Sequence, residues 1–221
     1  MSVDRTAGDS IPGSGVQTEA LASFLKAAAE SVQYDEARDA ELTKVAEYLK
    51  GKIAEGKPIK MNFICTHNSR RSHMGAVMAA AAAVYHGVKN VQTYSGGTEG
   101  TALAPPAVGA MMRAGVSVTK MDSSSNPIYR LDVGQPLLMD CFSKRFDEAP
   151  NPTSDFAACM VCGSANEACP LVTGCDARFP LLYTDPKASD GGSATEQADA
   201  YTKALTQIGG ELMVAFSRAV K

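Results

Sequence analysis

The sequence lacks an excess of positive charge. Its 221 residues carry 21 Lys and Arg against 24 Asp and Glu, which gives a formal net charge of −3. Such a chain is not expected to be a general nucleic-acid or polyanion binder, although it can still bind small anions locally. Because 45% of the residues are hydrophobic and only 20% are charged, the composition predicts one or at most two compact domains with a sizeable core.

Long apolar segments are missing as well. The longest apolar run, AVMAAAAAVY at residues 76–85, is about half the length of a membrane-spanning helix. The N-terminal stretch MSVDRTAGDSIPGSG lacks the apolar core of a signal peptide. These absences predict a cytoplasmic protein with no membrane partner. In a reducing compartment, six cysteines are expected to serve catalysis, redox chemistry or metal binding rather than a disulfide framework.

The pattern of residues divides the chain into three segments, and no internal repeat is visible. Residues 1–16 are rich in Gly, Ser, Asp and Thr, which predicts a disordered tail. Residues 17–57 carry apolar residues at helical spacing and predict an N-terminal extension of two amphipathic helices, whose apolar stripes pack on a core or form a dimer contact. Residues 58–221 are predicted to form the main domain.

Short apolar runs alternate with helical segments in residues 58–221 and predict an open parallel sheet of the α/β class. The predicted strands are KMNFIC, NVQTYSGG, DFAACMV and FPLLYTDP, and helices are predicted near residues 72–87, 105–115 and 194–220. Residues 122–154 show no pattern that can be assigned. Ligands of such sheets bind at the carboxyl ends of the strands, and Cys65 lies at the end of the first one.

The segment CTHNSRRS, residues 65–72, predicts an oxyanion site. Because it joins a strand to a helix, its backbone amides and the positive end of the helix dipole are expected to converge on one tetrahedral anion. Arg71 would grip two anion oxygens, and the same field would hold Cys65 largely as a nucleophilic thiolate with the Ser72 hydroxyl as a further donor. A small buried hydrophobic cysteine is the alternative. The predicted oxyanion-binding residues are Thr66, His67, Asn68, Ser69, Arg70, Arg71 and Ser72.

This loop resembles the Cys-x5-Arg-Ser phosphate loop of the low-molecular-weight protein tyrosine phosphatases and of their relatives, the thioredoxin-coupled arsenate reductases. The resemblance runs from about Ile59 to the C-terminus, with Asn68, YSGG and a late DP in family order. It implies a three-layer α/β sandwich with a four-stranded parallel sheet in the order 2-1-3-4. It also implies that Asn68 braces the loop and that Asp185 is the general acid. A position after a strand and before a proline suits that role, and a plain turn aspartate is the alternative.

Three positions depart from the family pattern. His67 stands where a small residue is usual, and Arg70 stands where many members have cysteine, so Arg70 would either strengthen the positive field or face solvent. Ala76 stands where some reductases carry an acidic residue near a potassium site. No potassium site, other metal or tightly bound cofactor is therefore expected, and the predicted guest of the loop is phosphate, sulfate or arsenate.

A second cluster, CMVCGSANEACPLVTGC at residues 159–175, carries four of the cysteines. Cys162 and Cys169 have the spacing of the two redox cysteines of the reductases, including the proline that follows the second. The resemblance implies a relay in which Cys65 attacks arsenic, Cys162 and Cys169 form a disulfide, and thioredoxin reduces it. A regular helix would separate the two Cα atoms by about 10 Å, whereas a disulfide needs less than about 7 Å. The intervening GSANEA is therefore expected to unwind on oxidation.

Other interpretations of these side chains stay open. The cluster can also be a structural zinc site, although the final cysteine pair and the basic residues of a fungal binuclear cluster are missing. Cys159 is predicted to lie in the core, while Cys141 and Cys175 have no predicted role. His73 and His86 are predicted to be surface or packing residues rather than ligands.

The leading functional hypothesis is an arsenate reductase regenerated by thioredoxin. The alternative is a low-molecular-weight protein tyrosine phosphatase that hydrolyses phosphotyrosine or small phosphoesters through a phosphocysteine at Cys65. A third possibility is a redox or oxyanion sensor that binds without turnover.

Overall fold

The computed structural model describes residues 18–134, 138–168 and 171–221. The predicted disordered tail and Cys169 lie outside these ranges. In chain order the elements are α1 (Glu19–Ser31), α2 (Glu36–Ala54), β1 (Ile59–Cys65), α3 (Arg71–Tyr85), β2 (Val91–Gly97), α4 (Pro105–Arg113), β3 (Ser117–Lys120), β4 (Tyr129–Asp132), β5 (Leu138–Cys141), β6 (Phe156–Met160), α5 (Gly163–Ala168), β7 (Cys175–Pro180), the short 3-10 helix η1 (Pro186–Ser189) and α6 (Ala194–Ala219).

The central sheet is parallel and has the strand order β2-β1-β6-β7. Since β6 and β7 are the third and fourth of its strands along the chain, the predicted α/β fold with a 2-1-3-4 sheet is confirmed. Strands β1 and β2 pair in register as far as Cys65 and Gly97. Cys65 therefore ends the strand at the centre of the carboxyl edge, where ligands of such sheets bind.

The fourth parallel strand begins and ends earlier in the chain than the apolar run FPLLYTDP predicts. It ends at Pro180 instead of running through FPLLYTDP. Its neighbour β6 ends at Met160, which pairs with Pro180, so the chain beyond has no strand to pair with. Leu181 and Tyr183 are nevertheless buried, which explains why this segment has the apolar pattern of a strand.

The helices cover both faces of the sheet. The alanine-rich face of α3 is buried almost throughout, and Gly75 lies so close to the Phe63 ring that an added Cβ would approach it to 2.5 Å. Gly56 and Gly87, near the ends of α2 and α3, adopt φ angles of +62° and +67°, which suit glycine best. No helix within the described ranges is long and apolar enough to cross a membrane.

The N-terminal helices pack against α6 and share its core. The fully buried leucines of these two helices belong to the same hydrophobic cluster as the side chains of the central sheet. These leucines are Leu21, Leu25, Leu42 and Leu49. Their apolar stripes thus face the interior, while the division into an extension at 17–57 and a domain at 58–221 stays a prediction.

A small antiparallel sheet, β3-β4-β5, has two of its strands, β4 and β5, within residues 122–154, for which the sequence shows no pattern that can be assigned. Each of its strands has four residues. A strand of this length shows only two alternations of polar and apolar residues, which is too few to be recognised.

Candidate active site

The loop from Cys65 to Arg71 joins β1 to α3, and its carbonyl groups are bound by neighbouring backbone. The amides of Thr98, Glu99 and Ala104 donate to the carbonyl oxygens of residues 65, 66 and 69 at 2.9–3.0 Å. Carbonyl oxygens held in this way cannot turn toward the interior of the loop. An anion site requires this, because an inward carbonyl would repel the guest.

Asn68 lies at the centre of the loop and is fully buried. Its backbone has a φ of +44°, a left-handed conformation that asparagine tolerates better than most residues. Its side-chain Nδ2 donates to Ser72 Oγ at 2.8 Å, and its Oδ1 accepts from the backbone amide of Lys144 at 2.8 Å. The side chain thus ties the centre of the loop to the start of α3 and to the segment after β5.

The Ser72 hydroxyl lies 3.1 Å from the Cys65 sulfur. Because the Asn68 amide already donates to Ser72 Oγ, the hydroxyl's own hydrogen is available for the sulfur. Cys65 is only 4% exposed and borders the hydrophobic core, and its sulfur has the Ser72 hydroxyl as a polar neighbour.

The side chain of His73 links the loop to strand β2. Its ring is fully buried, with Nε2 at 3.0 Å from the Asn68 carbonyl oxygen and Nδ1 at 3.0 Å from Ser95 Oγ. Burial lowers its pKa to about 3, so the ring is neutral near pH 7. Since a carbonyl only accepts, Nε2 carries the hydrogen and Nδ1 accepts from the serine. The sequence predicted only a surface or packing role for His73, because no local pattern links residue 73 to residue 95.

Arg71 and Asp185 form an ion pair at the mouth of the loop. Arg71 Nη2 donates to Asp185 Oδ2 at 2.6 Å, and Nη1 donates to the Tyr183 carbonyl at 2.9 Å. The other Asp185 oxygen accepts from the Lys187 amide at 3.0 Å. The structure therefore brings together the predicted anion-binding arginine and the predicted acid, and two of the five guanidinium donors of Arg71 hold the acid's segment.

The side chains of Arg70 and His67 turn to partners outside the loop. Arg70 donates to the Tyr201 hydroxyl at 2.7 Å and to Asp190 at 2.9 Å, and its side chain is 15% exposed. It thus does not face solvent freely, and its charge is paired. His67 Nε2 lies 3.0 Å from Glu99 Oε1 in an exposed pair. Any part that these two residues play in anion binding would have to come from their backbone amides, and it stays a prediction.

Cys162 brings a second thiol to the edge of the loop. The backbone amide of Val161 donates to the Ile64 carbonyl at 2.9 Å, which continues the pairing of β6 with β1 up to this residue. The Cys162 sulfur lies 3.4 Å from the hydroxyl of Thr66, the residue after Cys65. It is 2% exposed. The following GSANEA segment forms α5, the helix that a Cys162–Cys169 disulfide would have to unwind.

The remaining described cysteines do not contact the loop. Cys141 and Cys159 are buried, and burial raises the pKa of Cys141 to about 12 and raises that of Cys159 strongly. Both are therefore neutral thiols that pack as small hydrophobic side chains. Cys175 begins β7 and is partly exposed.

Within the residues described, no group of three or more histidine, cysteine, aspartate or glutamate side chains is placed to hold a metal ion.

Comparison with known proteins agrees with this architecture. Residues 60–133, one third of the chain, match the family model of the low molecular weight phosphotyrosine protein phosphatases. A mutant of YwlE from Bacillus subtilis has a similar structure, with a TM-score of 0.50 at 18% identity over 74% of this chain and 99% of that one. An arsenate reductase in the oxidized state is 18% identical, with a TM-score of 0.45 over 72% and 98% of the two chains. No curated protein is significantly similar in sequence.

The match of residues 60–133 and the shared fold confirm the predicted resemblance to the low-molecular-weight phosphatase superfamily. Members of the superfamily are enzymes, either phosphatases or arsenate reductases. At 18% identity the likeness to the solved structures establishes the fold. The reaction has to be inferred from the side chains around Cys65.

Proposed function

We propose that this protein is an arsenate reductase that uses Cys65, Cys162 and Cys169 and is regenerated by thioredoxin. The observation that supports this proposal is the buried Cys162 thiol, which lies 3.4 Å from the hydroxyl of Thr66. Hydrolysis of a phosphoester needs one nucleophilic cysteine, whereas reduction of an oxyanion needs a source of two electrons. With a second thiol at the edge of the loop, Cys65 and Cys162 together can supply the two electrons by forming a disulfide.

In the first step, arsenate binds with its oxygens on the loop amides and on Arg71. The Cys65 thiolate attacks the arsenic atom, an S–As bond forms, and one As–O bond breaks. Asp185 donates its proton to the departing oxygen, which leaves as water. The tetrahedral anion is thereby converted into a covalent adduct on Cys65.

In the second step, the Cys162 thiolate attacks the Cys65 sulfur. The S–As bond breaks, its electron pair stays on arsenic, and arsenic leaves as arsenite. Cys169 then attacks Cys162 and frees Cys65, and the thioredoxin dithiol reduces the Cys162–Cys169 disulfide. One arsenate and two thiols thus yield one arsenite, one disulfide and one water.

The second candidate function is hydrolysis of phosphotyrosine or small phosphoesters, for which Cys65, Arg71 and Asp185 suffice without a second thiol. Asp185, whose Oδ2 accepts from the Arg71 guanidinium at 2.6 Å, would protonate the ester oxygen as it leaves. The Cys65 thiolate would attack phosphorus, the alcohol would leave, and water would release phosphate from the phosphocysteine.

Two assays on matched variants separate the two functions. We expect Cys162→Ser to lose thioredoxin-coupled arsenate reduction and to keep hydrolysis of p-nitrophenyl phosphate, if the wild type shows that activity. Cys175→Ser, which changes a cysteine outside the loop, is expected to change neither activity, and Cys65→Ser is expected to abolish both. If Cys162→Ser still reduces arsenate, the relay is wrong. If the wild type hydrolyses the ester but reduces no arsenate, the phosphatase proposal stands instead, and a wild type with neither activity supports an oxyanion sensor.

A further inference from the structure

The segment that carries Asp185 is held by arginines on two sides. Arg71 binds the Tyr183 carbonyl and the Asp185 carboxylate from the loop side. On the other side, Arg38 of α2 donates from Nη1 to the Pro180 carbonyl at 3.4 Å and from Nη2 to the Leu182 carbonyl. Arg38 belongs to the N-terminal extension, outside the part of the chain that resembles the phosphatases.

Arg38 is itself fixed in place. Its Nε lies 3.7 Å from Oε1 of Glu211, a carboxylate that is 1% exposed, and its guanidinium lies 5.3 Å from the centre of the Tyr183 ring. Gln207 donates to the same Glu211 oxygen at 2.6 Å. A planar cation that is paired and stacked in this way has few alternative orientations. It can therefore hold the two carbonyls at defined positions.

Apolar packing also holds this segment, because Leu181 and Tyr183 are buried. A cleft of about 760 Å³ opens between α2, α6 and the residues around Asp185, and Arg38, Tyr183 and Asp185 are among the residues that line it. Among the hydrogen bonds described for α2, those of Arg38 reach this segment, so they provide its polar restraint from the side of the extension.

We propose that Arg38 is a positioning residue for the reaction at Cys65. It anchors the carbonyls of residues 180 and 182, so that Asp185 lies beside the loop when a leaving oxygen needs a proton. This inference rests on the proposed role of Asp185 as the general acid, which arsenate reduction and phosphoester hydrolysis share. It assigns to the N-terminal extension an indirect part in the reaction, through the position of Asp185.

The test compares Arg38→Ala and Arg38→Lys with Arg218→Ala. Arg218 is the matched control, because it joins α6 to the same helix α2 through Asp39 at 2.6 Å and Thr43 at 2.9 Å. It makes none of the contacts to residues 180–185. Arg38→Lys keeps a positive charge near Glu211, so it remains informative if Arg38→Ala does not fold.

The first readout is amide hydrogen exchange of residues 181–185, which requires no activity. We expect faster exchange in both Arg38 variants and wild-type exchange in Arg218→Ala.

The second readout is hydrolysis of two esters. Phenyl phosphate has a poor leaving group and needs the acid more than p-nitrophenyl phosphate does, so Arg38→Ala should lose at least about tenfold more activity on the former. For an enzyme that reduces only arsenate, the corresponding readout is the alkaline limb of its pH profile, which should shift or disappear.

The outcomes separate this inference from the proposed function. Unchanged exchange in the Arg38 variants overturns the inference, whatever the activity. Faster exchange with equal losses on both esters, or with an unaltered pH profile of arsenate reduction, also overturns it, because Arg38 would then be merely structural. A wild type without either activity defeats the proposed function, and the chemical part of this inference with it, even if exchange shows that Arg38 holds the segment.

Discussion

Replacing Asn68 by aspartate should remove the hydrogen bond that the Cys65 sulfur receives. The Ser72 hydroxyl lies between the Asn68 amide at 2.8 Å and the sulfur at 3.1 Å. Asn68→Asp keeps the shape of the side chain and the acceptor for the Lys144 amide, but it exchanges the donor to Ser72 for a second acceptor. The hydroxyl is then expected to turn to the new carboxylate, which the loop amides and the α3 dipole keep ionised.

The size of the effect follows from the bond that is lost. A hydrogen bond to a charged group contributes about 1.5–3 kcal/mol, which corresponds to roughly a ten- to hundredfold change in rate. The added negative charge near a buried sulfur acts in the same direction. The alkylation rate of Cys65 by iodoacetamide, measured on its peptide by mass spectrometry between pH 6 and pH 9, should fall by this factor.

The control for this prediction is Asn68→Ala. It deletes the amide but leaves the Ser72 hydroxyl free to donate to the sulfur, so its alkylation rate should stay within a few-fold of wild type. It should nevertheless unfold at lower urea concentration, because two buried hydrogen bonds are lost at about 1 kcal/mol each or more. If the aspartate variant is alkylated as fast as the wild type, Ser72 does not donate to Cys65 and the account of the nucleophile is wrong.

Two further predictions concern stability and pH. At Gly97 an added Cβ would lie 2.3 Å from the Glu99 carbonyl oxygen and 2.5 Å from that of Thr66, so Gly97→Ala should lower the free energy of unfolding by about 1–3 kcal/mol or more and weaken phosphate binding. Gly51→Ala in α2, where a Cβ would meet nothing within 4 Å, should instead raise the free energy of unfolding by about 0.5–1 kcal/mol. If urea unfolding showed the Gly97 variant to be the more stable of the two, this account would be wrong. The buried ring of His73 has a pKa of about 3 against an ordinary 6.5. Between these two pH values only the unfolded chain takes up the proton. The free energy of unfolding should therefore fall by up to about 1.4 kcal/mol per pH unit below pH 6.5. His73→Gln should remove that part of the slope, and equal slopes for the two proteins would show that the ring is protonated in the fold.

The parts of the site that are contiguous in sequence were predictable. The strand, the loop CTHNSRRS and the helix after it follow one another within about thirty residues, and each has a local signature of apolar period, polar loop or helix start. The same local rules predicted an open parallel sheet, and the resemblance implied its strand order. Its fourth strand was misplaced, because an apolar run does not reveal where the partner strand ends.

The contacts that support the loop were not predictable from local patterns. His73 meets Ser95, Asn68 meets Lys144, and Arg38 reaches the carbonyl of Leu182 only after the chain has folded. Polar side chains of this kind look like ordinary surface residues in a sequence, since their partners are far along the chain and leave no periodic signal.

By itself, the sequence determined the alternation of strands and helices and the chemistry available at Cys65, because both depend on neighbouring residues. The tertiary structure alone decided which distant groups lie around the loop that follows Cys65. It brought Asp185 beside Arg71, Cys162 beside Thr66 and Arg38 behind the acid's segment. The physical reason is that the packing of α2, α6 and the sheet sets these distances, and packing depends on the whole set of buried contacts rather than on any local run of residues.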